Sequence, residues 1–392
     1  MKRLSSRERL LAVARYQRAD HIPLLLHPFG WQPWWRARPC GNQVEMAEAF
    51  LEFGLDAWLG VGPPMTFHPD VKTRQRTERR AENPWPCMVK EYDTPAGVFR
   101  QEVFLTDDWS DPHWPQHRES PPAVALLDDY NVPRYRRCPI RDEADLEKLR
   151  YLYRPVGDAE VPAFRRKVEA TAAEARRLGV LLRGEASAGT DAAVWLCGVQ
   201  GLLEMAIDRP ELLAALLDII HRREKRSVEL LVDTPVELIT RRGYYEGTTF
   251  WSPAMYRRFF LPRLKELTEL AHQGGKLVGY TMSIGYMPLL GELAEAGYDV
   301  HFLLDPLRSG GQVEDLAKVK AAWNGRIAIL GAINQPVTLD KGSEQDVREE
   351  VYHSVRTLGP DGLGLSPVEA IHNFTPRRSL EVMIEAWKQV RQ

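Results

Sequence analysis

The sequence has few cysteines, no long apolar run and almost no net charge, and each shortage excludes a class of protein. Cys40, Cys87, Cys138 and Cys197 form no CxxC or CxC pair, which argues against a zinc knuckle and a disulfide-stapled secreted fold. No stretch of about 18 uninterrupted apolar residues predicts a membrane span. The 52 basic and 54 acidic residues leave a net charge of −2, so neither nucleic acid nor a membrane surface is an expected partner.

Short apolar runs alternate with longer amphipathic runs along the 392 residues. The short runs are rich in Val, Ile and Leu and lack strict polar alternation, which is typical of parallel strands buried on both faces. Eight runs fit this description: 22–26, 57–61, 180–183, 236–240, 277–281, 300–304, 327–331 and 363–366.

The segments between these runs carry helix start and stop residues. Ser252 can cap the free N–H groups of a helix over 253–272, and Gly274 suits the end of that helix. A second helix is predicted over 287–296, where Gly297 takes the same closing position.

Eight strands joined by helices predict an α/β fold, namely a (β/α)8 TIM barrel that forms a single domain over residues 1–392. An open, doubly wound parallel sheet is the alternative for the same pattern. In a barrel the active site lies at the carboxyl ends of the strands, and this rule selects the candidate residues below.

One stretch, near residues 83–153, breaks the alternation. Its segments 87–92 and 98–105 flank turn residues and predict an inserted β-hairpin, and the rest predicts a long surface loop of functional or subunit-contact type. The basic stretch 72–80 before it is interpreted as a solvated loop.

Five segments of the chain share their motifs and their order with one family: SSRERLLAVARYQRADHIPLLL, YYEGTTFWSPAMYRRFFLPRLKELTELAHQGG, PLLGELAEAGYDVHFLLDP, IAILGAINQPVTLDKGS and GLGLSPVEAIHNFTPRRSLEVMIEA. With these motifs the chain resembles the uroporphyrinogen decarboxylase superfamily over nearly its whole length. The superfamily includes porphyrinogen decarboxylases and zinc-dependent methyltransferases that serve corrinoid proteins or coenzyme M. Relatives in the decarboxylase branch are often dimers, so the resemblance implies a homodimer.

The chain departs from the motifs of both branches. The decarboxylases carry Arg-Gln-x-Gly-Arg after the first strand, where this chain has Arg36 and Arg38 in a different spacing. The methyltransferases carry zinc ligands where this chain has Thr281, Ser283 and Glu369, and Thr and Ser are poor zinc ligands. The cofactors therefore stay open: zinc with a corrinoid carried by a partner protein for methyl transfer, and none for decarboxylation.

Strand ends in the first half of the chain supply the first candidates. His27 follows the first strand and could act as an acid, a base or a ligand, with Trp31 as an aromatic wall beside it. Glu185 could accept a proton, or it could merely form an ion pair. Glu246 lies in the acidic-Gly-Thr motif of the resemblance, and Tyr245 could donate a hydrogen bond to the substrate.

Strand ends in the second half supply further substrate-binding candidates. Tyr280 and Thr281 close one strand and could form a pocket wall. Asp305 follows the next strand, and Asn334 could direct an amide into the pocket. Arg36 is the remaining candidate, as a partner for a substrate carboxylate.

Glu369 and His372 share the short loop after the last strand. Two such groups three residues apart could pair as acid and base, and they are the predicted ligands if a metal is bound. A loop-stiffening pair is the alternative interpretation.

Three functions fit these residues. The first is an enzyme of one-carbon metabolism that moves a methyl group from a small substrate, such as an aryl methyl ether or a methylamine, to a corrinoid protein. The second is a cofactor-free decarboxylase of a carboxylated, porphyrinogen-like substrate held by arginines such as Arg241 and Arg242. The third is a non-catalytic binding protein on the same barrel. The amino terminus has no apolar signal-peptide core, so the cytoplasm is the expected location.

Overall fold

The computed structural model describes residues 3–79, 81–110, 124–308 and 312–392. The chain divides into two compact units. Unit 1 comprises Met1–Gly62, Val161–Ala186 and Val228–Gln392, and unit 2 comprises Pro63–Glu160 and Ser187–Ser227. The single domain over 1–392 stays a prediction.

The strands of the described residues are short. They are β1 Trp58–Val61, β2 Lys72–Glu78, β3 Cys87–Thr94, β4 Gly97–Phe104, β5 Tyr135–Arg137, β6 Leu181–Glu185, β7 Leu238–Arg242, β8 Leu277–Thr281, β9 Val300–Leu304, β10 Leu307–Arg308, β11 Gln312–Val313, β12 Ala328–Asn334 and β13 Leu363–Val368.

Helices separate most of these strands. They are α1 Ser6–Ala14, α2 Gln43–Glu52, α3 Glu143–Leu152, α4 Val161–Leu178, α5 Asp191–Cys197, α6 Val199–Asp208, α7 Pro210–Val232, α8 Pro253–Phe259, α9 Leu261–Gln273, α10 Leu290–Glu295, α11 Leu316–Trp323, α12 Glu344–Leu358 and α13 Arg377–Val390.

Unit 1 contains a parallel sheet in the order β1-β6-β7-β8-β9-β12-β13. The first predicted strand lies between the two ends of this sheet, because Leu24 pairs with Leu365 of β13 and Leu25 pairs with Asp56 just before β1, both in parallel. Asp56 donates its backbone N–H to the Leu24 carbonyl oxygen at 3.0 Å. Seven of the eight predicted strands form this sheet, and the first is present as two isolated parallel bridges between the ends of the sheet. The (β/α)8 TIM barrel is confirmed.

The inner face of this barrel is apolar. Leu25, Leu181, Leu238, Phe302 and Val368, each from a different strand, belong to one buried cluster. Residues of α1 join the same cluster, so α1 contributes to the barrel core. Since successive side chains of a strand alternate between its faces, membership in this cluster identifies which residues of each strand face inward.

Unit 2 contains an antiparallel sheet in the order β2-β3-β4-β5. The predicted hairpin is confirmed as β3 and β4, which pair from Cys87 with Phe104 to Thr94 with Gly97. Met88, Val103 and Val124 form the buried core beside this sheet. Residues 111–123 of the predicted surface loop lie outside the described residues.

Three local predictions were wrong. The stretch 72–80 contains the exposed strand β2, which pairs with β3 along its whole length. The stretch 83–153 contains the helix α3. Asp142 caps the start of this helix by accepting a hydrogen bond from the Asp145 N–H at 3.1 Å. The helix over 253–272 is two helices, α8 and α9, which meet at Phe260 just before Pro262, and Pro262 cannot donate a backbone hydrogen bond.

The ends of that helical stretch agree with the prediction. The Ser252 side chain accepts from the Met255 N–H at 3.2 Å, and α9 ends before Gly274. No helix in the described parts of the chain combines the length and apolarity needed to cross a membrane.

Candidate active site

The carboxyl ends of the parallel strands of unit 1 lie at one mouth of the barrel, and polar residues stand at several of them. Glu185 ends β6, Arg242 ends β7, and Asp305 follows β9. Ile371 donates its backbone N–H to the His27 carbonyl oxygen at 2.8 Å, so the loop after β13 meets the end of the first strand. Polar residues that are far apart in the sequence therefore lie together at this mouth.

A cavity of about 480 Å³ lies beside the first strand, β1 and α2 of unit 1. His27, Arg183 and Glu185 line its polar side, and Met46 and Phe50 of α2 line its apolar side. Small-molecule sites typically enclose roughly 300–1,000 Å³. The cavity therefore has the size and the mixed character of a site for a small amphipathic ligand.

Arg183 and Glu185 form an ion pair inside this cavity. They lie two residues apart on β6, so both leave the strand on the face occupied by Leu181, the inner face. The Arg183 Nη2 lies 2.5 Å from the Glu185 Oε1, and the guanidinium lies 4.7 Å from the centre of the Trp58 ring. The arginine side chain is only 16% exposed, whereas that of the glutamate is 55% exposed.

His27 is neutral at physiological pH. Burial, together with the nearby charge of Arg183, lowers the pKa of His27 to about 4, against the opposing charge of Glu185. Arg242 and His372 add smaller effects in the lowering direction, which places both near His27. A neutral imidazole at this place carries one N–H donor and one acceptor nitrogen.

Asp305 is held by Asn334 on the far side of the mouth from β6. The Asn334 Nδ2 donates to both carboxylate oxygens of Asp305 at 2.9 Å. Burial raises the pKa of Asp305 to about 6, and the charge of Glu369 adds to this. The Asn334 backbone N–H donates in turn to the Glu350 Oε1 at 2.6 Å, and burial raises the pKa of Glu350 to about 8.

Glu369 and His372 take different neighbours. Glu369 is exposed, and its negative charge raises the pKa of Asp305. The His372 ring stacks on Phe374 at 5.0 Å and meets the edge of Phe29 at 5.5 Å. The structure thus places Glu369 near Asp305 and His372 near His27, at the same mouth.

Glu246 and Tyr280 lie elsewhere. Tyr280 and Arg241 alternate with the inward-facing residues of β8 and β7, so both face outward. Glu246 is fully buried, forms an ion pair with Arg241 at 2.7 Å and accepts a hydrogen bond from the Tyr280 hydroxyl. Neither Glu246 nor Tyr280 is among the described residues that line the cavity, and their predicted roles stay predictions.

The remaining candidates vary in their distance from the cavity. Thr281 faces the barrel interior and is 7% exposed. Trp31 is buried and stacks on Phe50, which lines the cavity. Tyr245 packs against Phe250 at 5.5 Å, and Arg36 forms an ion pair with Glu52 at 3.0 Å.

A zinc site does not fit the donor groups of this mouth. Among the described residues, no group of three or more His, Cys, Asp and Glu side chains is arranged to hold a metal. Thr281 and Ser283 occupy two positions of the expected ligands, and their hydroxyl groups are poor zinc ligands. Ser283 is also only 1% exposed. Glu369 and His372 remain only predicted ligands, and no step below passes through a metal.

Two charged residues were not among the predicted site residues: Arg183 in the cavity, and Glu350 of α12, which accepts from the Asn334 N–H. Arg183 is a charged residue inside an otherwise apolar strand, which is itself an indication of function. Glu350 lies on α12 between the buried residues Val347 and Ser354 at helical spacing, and this polar interruption of a buried face could have identified it.

The fold and mouth together define an α/β barrel protein whose site is built from strand ends. The sequence profile of the family described as uroporphyrinogen decarboxylase (URO-D) matches residues 126–390, which is more than half of the chain. The chain belongs to this family.

Solved structures support the fold. A methyltransferase from Methanosarcina mazei superposes with a TM-score of 0.56 at 16% identity, covering 98% of this chain and 99% of that chain. A 3-keto-D-glucoside 4-epimerase from E. coli matches at 13% identity with a TM-score of 0.35, covering 62% of this chain and 93% of that chain. The second similarity is too weak to support an argument. No curated protein matches the chain.

Proposed function

We propose that this chain is an enzyme that moves a methyl group from a small methylated substrate to a corrinoid protein. The observation that carries the proposal is the amphipathic cavity at the strand ends, where His27, Arg183 and Glu185 face the apolar wall of α2. Such a cavity can hold a flat apolar group by one side and a polar group by the other. Membership in the family and the full-length similarity to a methyltransferase support this choice.

The chemistry requires a proton at the heteroatom that loses the methyl group. Transfer to a reduced corrinoid breaks the carbon–oxygen bond of a methyl ether and leaves the electron pair on oxygen, which takes up one proton. His27, with its lowered pKa, presents a neutral N–H to such an oxygen. Solvent supplies the proton, because Asp305, whose pKa is raised to about 6, lies on the far side of the mouth and does not line the cavity.

Other residues of the mouth would orient the substrate. Glu185 and Arg183 lie on the cavity wall, and Glu369 and His372 lie on the loop that follows β13. Glu246 would act at a distance, as a positioning residue, by holding Arg241 and the end of β7.

The test is methyl transfer in solution. The purified chain, a reduced corrinoid protein and a panel of methoxybenzoates and methylamines are incubated, and methylcorrinoid formation is followed by absorbance. We expect turnover with at least one substrate, resistance to a chelator, and a loss of at least about tenfold in His27→Asn. The matched control is Arg177→Gln on the surface of α4, which forms an exposed pair with Glu48. The absence of methylcorrinoid with every substrate, while the corrinoid stays reduced, would remove the proposal.

Decarboxylation of a carboxylated substrate is the second candidate. The positive charges of Arg183 and Arg242 both lower the pKa of His27, so two cationic side chains lie near one point of the mouth. A substrate with several carboxylates requires such a pair. Arg241, which was predicted for this role, is committed to Glu246 in the outer layer. Release of carbon dioxide from uroporphyrinogen or from smaller acids would support this function. Ligand binding without either reaction would support the binding-protein hypothesis.

A further inference from the structure

The ion pair in the cavity joins one fixed partner to one exposed partner. The Arg183 side chain is 16% exposed and lies over the Trp58 ring, whereas the Glu185 side chain is 55% exposed. A buried cation keeps its place because burial makes an unpaired charge costly, while an exposed carboxylate can return to water at little cost. Glu185 is therefore the partner of this pair that can be exchanged.

The space beside the pair depends on a glycine. A Cβ atom at Gly60 of β1 would lie 3.3 Å from the Glu185 Oε1 and 3.7 Å from the Arg183 Nη2. The Gln43 side chain satisfies the backbone of Gly60, donating to its carbonyl oxygen at 3.0 Å and accepting from its N–H at 2.9 Å. The backbone of β1 at this point is thus already paired, so the cationic side chains of the cavity lining, Arg183 and Lys167, are the groups that can bind an anion.

The arginine also has unused donor capacity. The Arg183 Nε is buried and has no hydrogen-bond partner. Guanidinium groups bind planar carboxylates through two parallel N–H···O bonds, whereas the hydrogen bond to Glu185 uses the Nη2 nitrogen. The internal carboxylate therefore satisfies Arg183 incompletely.

We propose that the cavity binds a small amphipathic carboxylic acid whose carboxylate takes the place of Glu185 on Arg183, while its apolar body lies against Met46 and Phe50. As an identification of the substrate class this rests on the proposed function, although binding can be measured without it. Glu185 acts here as a built-in competitor, so it lowers the affinity for anionic ligands and leaves the affinity for neutral analogues nearly unchanged.

The test compares a carboxylate with its neutral isostere. Calorimetry measures binding of 4-methoxybenzoate and 4-methoxybenzamide to the full-length wild type, Glu185→Gln and Arg183→Gln. We expect Glu185→Gln to bind the benzoate about fivefold more tightly, because the competing charge is gone. Arg183→Gln should bind it at least about tenfold more weakly. Neither substitution should change the affinity for the benzamide by more than about twofold.

Two controls keep the result interpretable. Arg177→Gln, on the surface of α4, should leave both affinities unchanged. If Arg183→Gln fails to fold, Glu185→Gln still decides the question, because Glu185 is exposed and its loss leaves the barrel core intact. Unchanged or weaker benzoate binding in Glu185→Gln would overturn the proposal, as would equal affinity of the wild type for acid and amide, or no binding of the acid at millimolar concentration.

The two proposals fail separately. If the benzoate binds with the expected dependence on Arg183 and Glu185 but no methylcorrinoid ever forms, the methyl-transfer function falls and the ligand class stands. If methylcorrinoid forms from neutral methyl ethers as readily as from methoxybenzoates, the methyl-transfer function stands and the competition by Glu185 is wrong.

Discussion

Arg241 and Arg242 are adjacent in sequence, yet their side chains leave β7 on opposite faces. Arg241 is 3% exposed and forms its ion pair with Glu246 in the layer outside the sheet. Arg242 is exposed, lies 5.2 Å from the centre of the Tyr244 ring, and acts on His27 at the mouth. Arg241 therefore stabilises the end of β7, and Arg242 lies at the candidate site.

The buried pair predicts a large effect of Glu246 on stability. Removing one partner of a buried ion pair leaves the other charge without compensation, which typically costs about 3–5 kcal/mol. Glu246→Ala should lower the free energy of unfolding by about that amount in urea denaturation. Asp361→Ala, which breaks an exposed pair with Arg18, should change it by less than about 0.5 kcal/mol. Similar effects of the two substitutions would contradict the buried-pair interpretation.

Glu350 predicts a pH dependence of stability. Burial raises its pKa from the ordinary 4.5 to about 8 in the folded chain, so between these values the folded state holds a proton that the unfolded state has lost. Stability conferred by this group therefore falls as pH rises from about 4.5 to about 8, by an amount on the order of a few kcal/mol.

The measurement is the difference between two proteins across that range. Glu350→Gln should show a flatter pH dependence of the free energy of unfolding than the wild type, and Glu349→Gln, at an exposed neighbouring position, should match the wild type. His27 and His301, whose pKa values are lowered to about 4, contribute with the opposite sign between pH 4 and 6.5. Both are present in all three proteins, so their contributions cancel and the difference isolates Glu350. Parallel curves for all three proteins would show that Glu350 titrates normally.

His27 predicts an unusual histidine resonance. We expect its pKa near 4 by NMR of labelled imidazole nitrogens, with assignment from the His27→Asn spectrum. Arg183→Gln should raise this pKa, because a nearby positive charge is lost, and Glu185→Gln should lower it, because a nearby negative charge is lost. Shifts in the same direction for both variants would refute the proposed electrostatics.

The glycine of the acidic-Gly-Thr motif predicts a steric effect. A Cβ atom at Gly247 would lie 2.3 Å from the Ile284 carbonyl oxygen, so the two loops could not keep their contact. Gly247→Ala should destabilise the protein by about 1–3 kcal/mol in thermal or urea unfolding. Gly291→Ala has no atom within 4 Å of the new Cβ and should be neutral or stabilising by up to about 1 kcal/mol. A stable Gly247→Ala protein would show that the motif is not kept by packing.

Periodicity located the barrel strands well because parallel strands are buried on both faces and leave compact apolar runs. It failed where the environment decides: β2 is highly charged yet forms a strand, because pairing with β3 satisfies its backbone. The helix over 253–272 kept its predicted ends, since capping residues act locally, but broke at Phe260, where Pro262 follows.

The amino-acid sequence by itself determined the eight strands, the hairpin and the family of this protein, because each depends on residue types at short spacing. Only the tertiary structure decided that Arg183 and His27 share a cavity while Glu246 and Tyr280 lie behind the sheet. The side on which a strand-end residue lies depends on strand register and on which neighbours surround it, and those neighbours come from distant parts of the chain.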